Sequence, residues 1–453
     1  MPDYEEKSYW LGSSPYEESP PLDGSTKVDV AIVGGGFCGL STAYYLKRAD
    51  PSLRVVVLED KVVGWGASGR NAGFAMTLMG FTLSITSLRF GKEKAKQAHD
   101  FAHRAVDHIG QMVDAHGIDC DYEKPGLLTV ALNPAQAKRL QGEIELAEKL
   151  GIQGLKWLDA HMVRAEVHSP TYVGARWEEQ CALINPAKYV RGLKRVAQEL
   201  GVEVYERTPV VAAHLDPILH LDTPHGLVEA DRVVFATNAF SSSFPQLRSK
   251  QFPVFTYIIL SEPLSEAQLA SIGWAGRQGV EDARNMIHYY RLTADNRILY
   301  GGADAQYYMG GPLDRDSNPS AFRRLERDFR QTFPSLKDVG IEHRWGGPVS
   351  IPLDFFPAMG YLGKDKRVAY ALGCVGHGVA MMNMAGQIMR DLVLARESEF
   401  TNLFFVNRRL IPVPPEPLRF VLGEGIRRAL KAQDAWEGRK GSGVVESASG
   451  KTR

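Results

Sequence analysis

Hydrophobic positions along this chain fall into two periods, and their order predicts its architecture. Lys27 to Val33 is a short apolar run that ends in glycines, a helical pattern continues through about Leu46, and a second apolar run covers Arg54 to Glu59. Short apolar runs flanking a helix are the mark of buried parallel strands, a βαβ beginning. From Lys92 to His116, Ala95, Ala98, Phe101, Ala102, Val106, Ile109 and Val113 recur at helical spacing. The pattern then predicts a strand at Gly126 to Leu132, helices at Ala135 to Leu150 and Pro186 to Leu200, and strands at Val202 to Tyr205 and Val228 to Ala236. Residues 252 to 302 instead alternate apolar and polar positions with many aromatics, which predicts a mainly antiparallel sheet. A helix near Ala321 to Phe333, a strand at Arg367 to Leu372, a helix through Leu394 and a basic helix at Leu418 to Gln433 complete the reading. The fold class is therefore α/β, a parallel-sheet domain with a second α+β domain on a mainly antiparallel sheet.

Length and composition narrow the classes. The 453 residues suffice for two or three ordinary domains, and 44% hydrophobic with 23% charged residues is globular composition. Lys+Arg and Asp+Glu both number 53, so no overall field recruits nucleic acid. Cys38, Cys120, Cys181 and Cys374 are scattered, without metal-ligand spacing, and no metal is expected. Scarce cysteines and an acidic N-terminus, with Asp3, Glu5 and Glu6, point to a cytoplasmic protein. The longest apolar stretches are broken by glycines and polar residues, so no transmembrane segment is expected. Peripheral membrane contact through Arg419, Arg427, Arg428 and Lys431 is weighed against a solvated basic helix, which is preferred. Met381, Met382, Met384 and Met389 have the spacing of core packing rather than of a soft-metal site.

The chemistry begins where the first strand meets Gly34-Gly-Gly36-Phe37-Cys38-Gly39, a G-x-G-x-x-G turn opening a helix. Gly34 permits the tight turn, Gly36 lets backbone approach a pyrophosphate, and Gly39 lets helix and strand pack closely. Glu59 ends the next strand 20 residues after Gly39, placed to accept hydrogen bonds from ribose hydroxyls, with Asp60 beside it. A dinucleotide follows from this unit, but NAD and FAD are not separated by it. Gly66-Ala67-Ser68-Gly-Arg70-Asn71-Ala72-Gly73 comes next, a loop able to run beside a long cofactor.

Together these segments resemble the FAD-dependent D-amino-acid oxidase superfamily, in its gamma-glutamylputrescine oxidoreductase-like branch. Ala236-Thr237-Asn238 after a strand, Tyr289 to Gly302 and Gly373-Cys-Val-Gly376-His377-Gly378-Val379 are similar to later landmarks of that branch. The resemblance implies a Rossmann-like FAD-binding domain of the glutathione-reductase type, with Val210 and Trp345 added to the cofactor contacts. It assigns residues 1–24 to an N-terminal arm; 25–90, 151–245 and 340–400 to the FAD-binding domain; 91–150 and 246–339 to the substrate domain; and 401–453 to a tail with a basic helix. It also implies oxidation of an amine or amino acid to an imine by hydride transfer to flavin N5, then hydrolysis, with O2 reduced to hydrogen peroxide. An amine dehydrogenase passing electrons to a quinone or protein acceptor, and a noncatalytic FAD-binding subunit, are the alternatives.

Departures from the family pattern sharpen the expectation. Val349 stands where an arginine clamps the substrate carboxylate in many members. No cysteine lies near Trp345 to Ser350, which implies noncovalent FAD. A lysine that assists oxygen reduction in some members is missing near Ile298 to Gly301, so oxidase and dehydrogenase readings both stay open. His377, Tyr257, Tyr290 and Arg291 are the candidate catalytic residues, with Arg344, His288 and Tyr289 as further pocket candidates. A helix beginning at Gly376 to Gly378 would also present N–H groups to charge developing on a reduced flavin.

Overall fold

A computed structural model describes residues 4–449; the first three residues of the expected arm and the last four of the expected tail lie outside them. Six strands form the main path of the first sheet, in the order Ala358–Leu362, Val368–Leu372, Gly226–Phe235, Thr26–Val33, Val55–Leu58, Glu203–Tyr205. Thr26–Val33 pairs in parallel with Val55–Leu58 and Gly226–Phe235, as the apolar runs require. Only Ala358–Leu362 and the hairpin Ala212–His214/His220–Thr223 join this sheet antiparallel. Both faces are buried. On one, helices Phe37–Ala49, Lys92–His116, Pro186–Glu199 and Gly378–Val393 enclose the largest apolar cluster. Ser41 Oγ donates to the Asn383 carbonyl at 2.6 Å, stitching Phe37–Ala49 to Gly378–Val393.

The second sheet runs Ile341–Ile351, Phe252–Ser261, Ile298–Tyr307, His288–Leu292, Gly279–Asp282, Leu127–Ala131, Gly174–Glu178, Leu155–Asp159, antiparallel except between Gly279–Asp282 and Leu127–Ala131. Its pairing departs from the expected boundaries. Leu155–Asp159 and Gly174–Glu178, expected with 151–245 in the first domain, are strands of the second sheet. Ile341–Ile351, expected with 340–400, pairs with Phe252–Ser261. The helix Lys92–His116, expected in the substrate domain, buries its apolar stripe in the first domain's core. Periodicity marks elements well, but the partner of each strand is a long-range property.

The N-terminal arm is a structured latch. Trp10 and Leu11 are buried, Ser8 Oγ donates to the Gly69 carbonyl at 2.7 Å, and Trp10 Nε1 donates to the Asn71 carbonyl at 2.9 Å. The C-terminal helix Leu418–Ser449 lies along the second sheet's domain. Arg427 and Lys431 pair with buried Asp304, Asp434 accepts from the backbone N–H groups of Asn285 and Met286 at 2.8 and 2.9 Å, and Glu437 pairs with Arg139 at 2.9 Å. The expectation of a solvated basic helix is corrected here, because 427, 431, 434 and 437 share one helical face and that face is docked. No helix among the described residues is long and apolar enough to cross a membrane.

Candidate functional site

Between the first sheet and the loops that follow its strands lies a cavity of about 260 Å³. Gly34, Gly36, Phe37, Cys38, Glu59, Asp60, Gly66, Ala67, Ser68, Asn71, Val210, Ala236, Thr237, Asn238, Gly376, Gly378 and Val379 all line it. Segments separated by more than three hundred residues thus meet around one space. The remaining expected contacts are placed otherwise. Gly39 is packed under the turn, and Gly73, at φ +78°, is packed against Ile184, its carbonyl accepting from Ile184 N at 2.9 Å. Arg70, Ala72, Trp345 and His377 line a second, adjoining cavity.

The first cavity fits a dinucleotide. At Gly36 a Cβ would sit 2.8 Å from Ser68 Oγ, so the turn and the loop touch at the cavity wall. Two helices, Phe37–Ala49 and Gly378–Val393, begin at this space; neither N-cap residue supplies a side-chain cap, and although Phe37 N donates to Ser68 Oγ at 3.0 Å, further N–H groups of both first turns remain to face an anion. Glu59 Oε2 accepts from Gly35 N at 2.7 Å and Oε1 from Lys61 N at 3.1 Å, while burial pushes its carboxyl up to about 7. Asn238 Oδ1 is buried without a hydrogen-bond partner among the described residues, a group awaiting a donor. Trp65, Pro209, Phe240, Phe244, Cys374 and Met382 also line the cavity. Sequence reasoning missed Trp65, Pro209, Phe240 and Phe244 because they sit outside the regular α-helices and strands, and it read Met382, on the helix Gly378–Val393, as core packing.

The second cavity, about 270 Å³, adjoins the first through shared lining residues Ala67, Asn71, Val349, Gly376 and Val379. One face of the second sheet forms its wall. Strand register aligns Arg176, Thr129, Glu281, Tyr289, Gly301, Ile258 and Trp345 in a single row across seven strands, and directly paired residues share a face. Trp345 ends that row against the glycine loop, its Nε1 donating to the Arg70 carbonyl at 2.9 Å. Phe74, Met76, Val254, Ile287 and Leu430 add apolar surface, the last from the C-terminal helix.

The alternation that brings Tyr289 and Ile258 into the cavity takes Tyr257 and Tyr290 out of it, while Arg291, on the same strand face as Tyr289, is spent on backbone carbonyls beyond the cavity lining. Tyr257 packs on Phe322 on the sheet's far face and shares a hydrogen bond with the Tyr308 hydroxyl at 2.7 Å. Tyr290 stacks on Tyr300 and bonds the Tyr172 hydroxyl at 2.7 Å. Arg291 is buried and donates to the carbonyls of Ile184 at 2.8 Å and Leu292 at 3.1 Å; burial pushes its guanidinium down to about 10. These three are corrected to structural roles. Arg344 pairs with Glu326 at 2.8 Å, and His288 lies between Asp282 and Asp328 at 3.1 and 2.9 Å, so neither offers a free group to a ligand. His377 alone of the four expected catalytic residues lines the cavity. Burial pushes its imidazole down to about 4, and its Nδ1 is buried without a hydrogen-bond partner among the described residues.

The helix that supplies Leu430 closes this chamber by way of Asp304, also a lining residue, which holds Arg427 at 3.0 Å, Arg324 at 3.2 Å, and Lys431. Asp304→Asn is expected to weaken docking of the helix by about 2 kcal/mol, reduced from a fully buried pair because the cations are partly exposed. Limited proteolysis within the helix should then accelerate roughly 30-fold, read by mass spectrometry; an unchanged rate would show that apolar contacts hold it.

Residues 29–392 match the family described as FAD dependent oxidoreductase. The gamma-glutamylputrescine oxidoreductase of Escherichia coli is 33% identical, over 91% of this chain and 94% of its own. A probable oxidoreductase, OrdL, of Haemophilus influenzae is 31% identical, over 87% of this chain and 90% of its own. Among solved structures, glycine oxidase from Geobacillus kaustophilus matches with a TM-score of 0.72 at 22% identity, covering 85% of this chain and 99% of that one, which shows a shared fold. With one-third identity over nearly its full length and the family's pattern running through both sheets, the chain belongs to the FAD dependent oxidoreductase family and is an FAD-dependent enzyme.

Proposed function

We propose that this enzyme oxidises a primary or secondary amine or amino acid to an imine, which water hydrolyses to a carbonyl, with O2 as terminal acceptor and hydrogen peroxide as product. The observation that carries the reading is the second cavity, which adjoins the proposed cofactor cavity through Val349, Gly376 and Val379 and lies against the C-terminal helix. When bound, noncovalently, FAD supplies a hydride acceptor for the hydrogen on the amine's α-carbon. The protein's part is to orient that C–H bond and hold the amine uncharged. Apolar Val349 and Val379 beside neutral His377 favour the free amine by giving an ammonium no solvation. The uncapped turn at Gly378 stabilises negative charge arriving on the acceptor. The amine and amino-acid chemistry in the names of the relatives supports the class.

Of the expected cofactor contacts, Gly34, Gly36, Phe37, Cys38, Ser68, Ala236 and Asn238 are assigned to the dinucleotide by their place on the cavity wall. Glu59 is assigned to the ribose, which yields a prediction with a definite sign. Its carboxyl titrates near 7 when buried alone, and ribose hydroxyls bond best to the ionised form. Binding must therefore expel a proton at low pH. FAD affinity should fall as pH drops below about 7, by up to roughly tenfold per unit, and Glu59→Gln should flatten the profile in fluorescence titrations of apoprotein.

Anaerobic addition of an amine panel, followed by oxygen and peroxide detection, tests the function. Bleaching of the flavin and its recovery in oxygen, with peroxide, is expected. Flavin that stays reduced in oxygen would replace the oxidase reading with a dehydrogenase passing electrons to a quinone or carrier protein.

A further inference from the structure

We propose that Glu281 anchors the substrate through a second, non-reacting cationic nitrogen, so that the preferred substrates are diamine-type amines rather than simple amino acids. This rests on the amine-oxidation reading above and specifies which amines it concerns. Three charged side chains line the second cavity: Arg70, Asp304 and Glu281. Two are already matched. Arg70 donates to Asp316 at 2.7 Å and to the Gly346 carbonyl, and Asp304 holds the cations of the C-terminal helix. Neither Arg70 nor any other lining side chain offers a free cation to a substrate carboxylate, in keeping with Val349 at the position of the family's clamp.

Glu281 is different. It is only 7% exposed, it lines the cavity, and one oxygen accepts from Thr129 at 3.0 Å while the other has no partner among the described residues. Arg176 acts on it through space and not by a hydrogen bond; its Nη2 donates to Thr129 at 3.1 Å and lies 3.4 Å from Glu178. Burial pushes the Glu281 carboxyl up to about 7 even against the nearby charge of Arg176, and no cation is hydrogen-bonded to it among the described residues. A ligand ammonium supplies what is missing. The strand row places Glu281 next to Tyr289, whose ring lies over Gly301, where a Cβ would come within 2.4 Å of it. Glycine there leaves an aromatic floor leading from Trp345, at the glycine loop, to the carboxylate. A chain with one nitrogen at the flavin end and another at Glu281 satisfies both ends.

The test compares holoenzyme turnover of straight-chain terminal diamines of increasing length, from putrescine to 1,12-diaminododecane, with the n-alkylamines of the same carbon number, since the row from Trp345 to Glu281 crosses four strand spacings, about 19 Å. The diamines long enough to reach Glu281 should exceed their monoamine partners in kcat/KM by about 10-fold or more, the range of a charge-assisted hydrogen bond. Glu281→Gln, which keeps shape and the Thr129 bond, should collapse that ratio toward one, mainly through the diamine KM. A damaged fold would slow both members of each pair alike and leave the ratio. Equal turnover of monoamines and diamines by the parent enzyme overturns the proposal without need of any variant, as does a preference that survives in Glu281→Gln. If no amine of either kind bleaches the flavin anaerobically, the amine-oxidation reading itself fails and takes this one with it.

Discussion

Gly39→Ala is expected to purify nearly colourless and to melt well below the parent protein. The methyl carbon would lie 2.0 Å from the Gly34 carbonyl oxygen and 3.3 Å from Ile32 Cγ2. No rotamer relieves a contact between a Cβ and backbone, so the helix Phe37–Ala49 must withdraw from the strand that precedes it. That withdrawal opens the turn whose approach to the Ser68 loop shapes the cofactor cavity. The cost should reach about 3 kcal/mol, the upper end for over-packing a tight site. Loss of flavin should exceed what the destabilisation alone would cause, because the N–H groups of Cys38 and Gly39 move with the helix. Gly142→Ala is the control. It lies in the helix Pro134–Lys149 with nothing within 4 Å of the added carbon, and alanine there should be neutral or slightly stabilising. Flavin-to-protein absorbance and thermal melting of the two variants measure the difference; a yellow Gly39→Ala protein would show that the turn tolerates the shift.

Gly39 also shows what was legible in the sequence. A strand, a glycine turn, a helix and an acid at the next strand end make a local unit, and local units are written in spacing. So are Lys92–His116, whose ends match its apolar stripe, and Gly378–Val393 behind its glycines. The wall of the first cavity was therefore largely readable. The wall of the second cavity was not, because its residues are brought together by long-range pairing. Tyr289 and Tyr290 are neighbours on a strand, and which of them faces the cavity depends on sheet register; alternation states only that they face opposite ways. Arg291 looked like an anion binder because a buried, carboxylate-free arginine cannot be recognised without its carbonyl partners. The C-terminal helix looked solvated because its acceptor, Asp304, is more than a hundred residues away. Glu281 carried no motif at all, and only the row of paired strands gives it a meaning.

Glu206→Ala should lower stability by about 3–5 kcal/mol, the cost of leaving one member of a buried ion pair alone. Glu206 is fully buried on the segment following Glu203–Tyr205. Its carboxylate accepts from Lys194 Nζ at 2.7 Å and from Tyr16 Oη, Ser19 N and Val63 N, each at 2.5 Å. One side chain thus ties the N-terminal arm, the helix Pro186–Glu199 and the segment between Glu59 and the glycine loop. Alanine strands a buried ammonium together with two backbone N–H groups, and the melting temperature should fall on the order of 10 °C. Detachment of the arm would also free the loop it braces through Ser8 and Trp10, so flavin should leave before the protein unfolds. The double variant Glu206→Leu with Lys194→Met decides between two accounts of this cluster. If the loss arises from the stranded charge, replacing both partners by apolar side chains restores much of the stability, because a buried pair is costly to desolvate in the first place. If the hydrogen bonds to Ser19 and Val63 are what matter, the double variant stays as weak as the single one and still loses its flavin early. Melting curves followed by both protein and flavin fluorescence separate these outcomes.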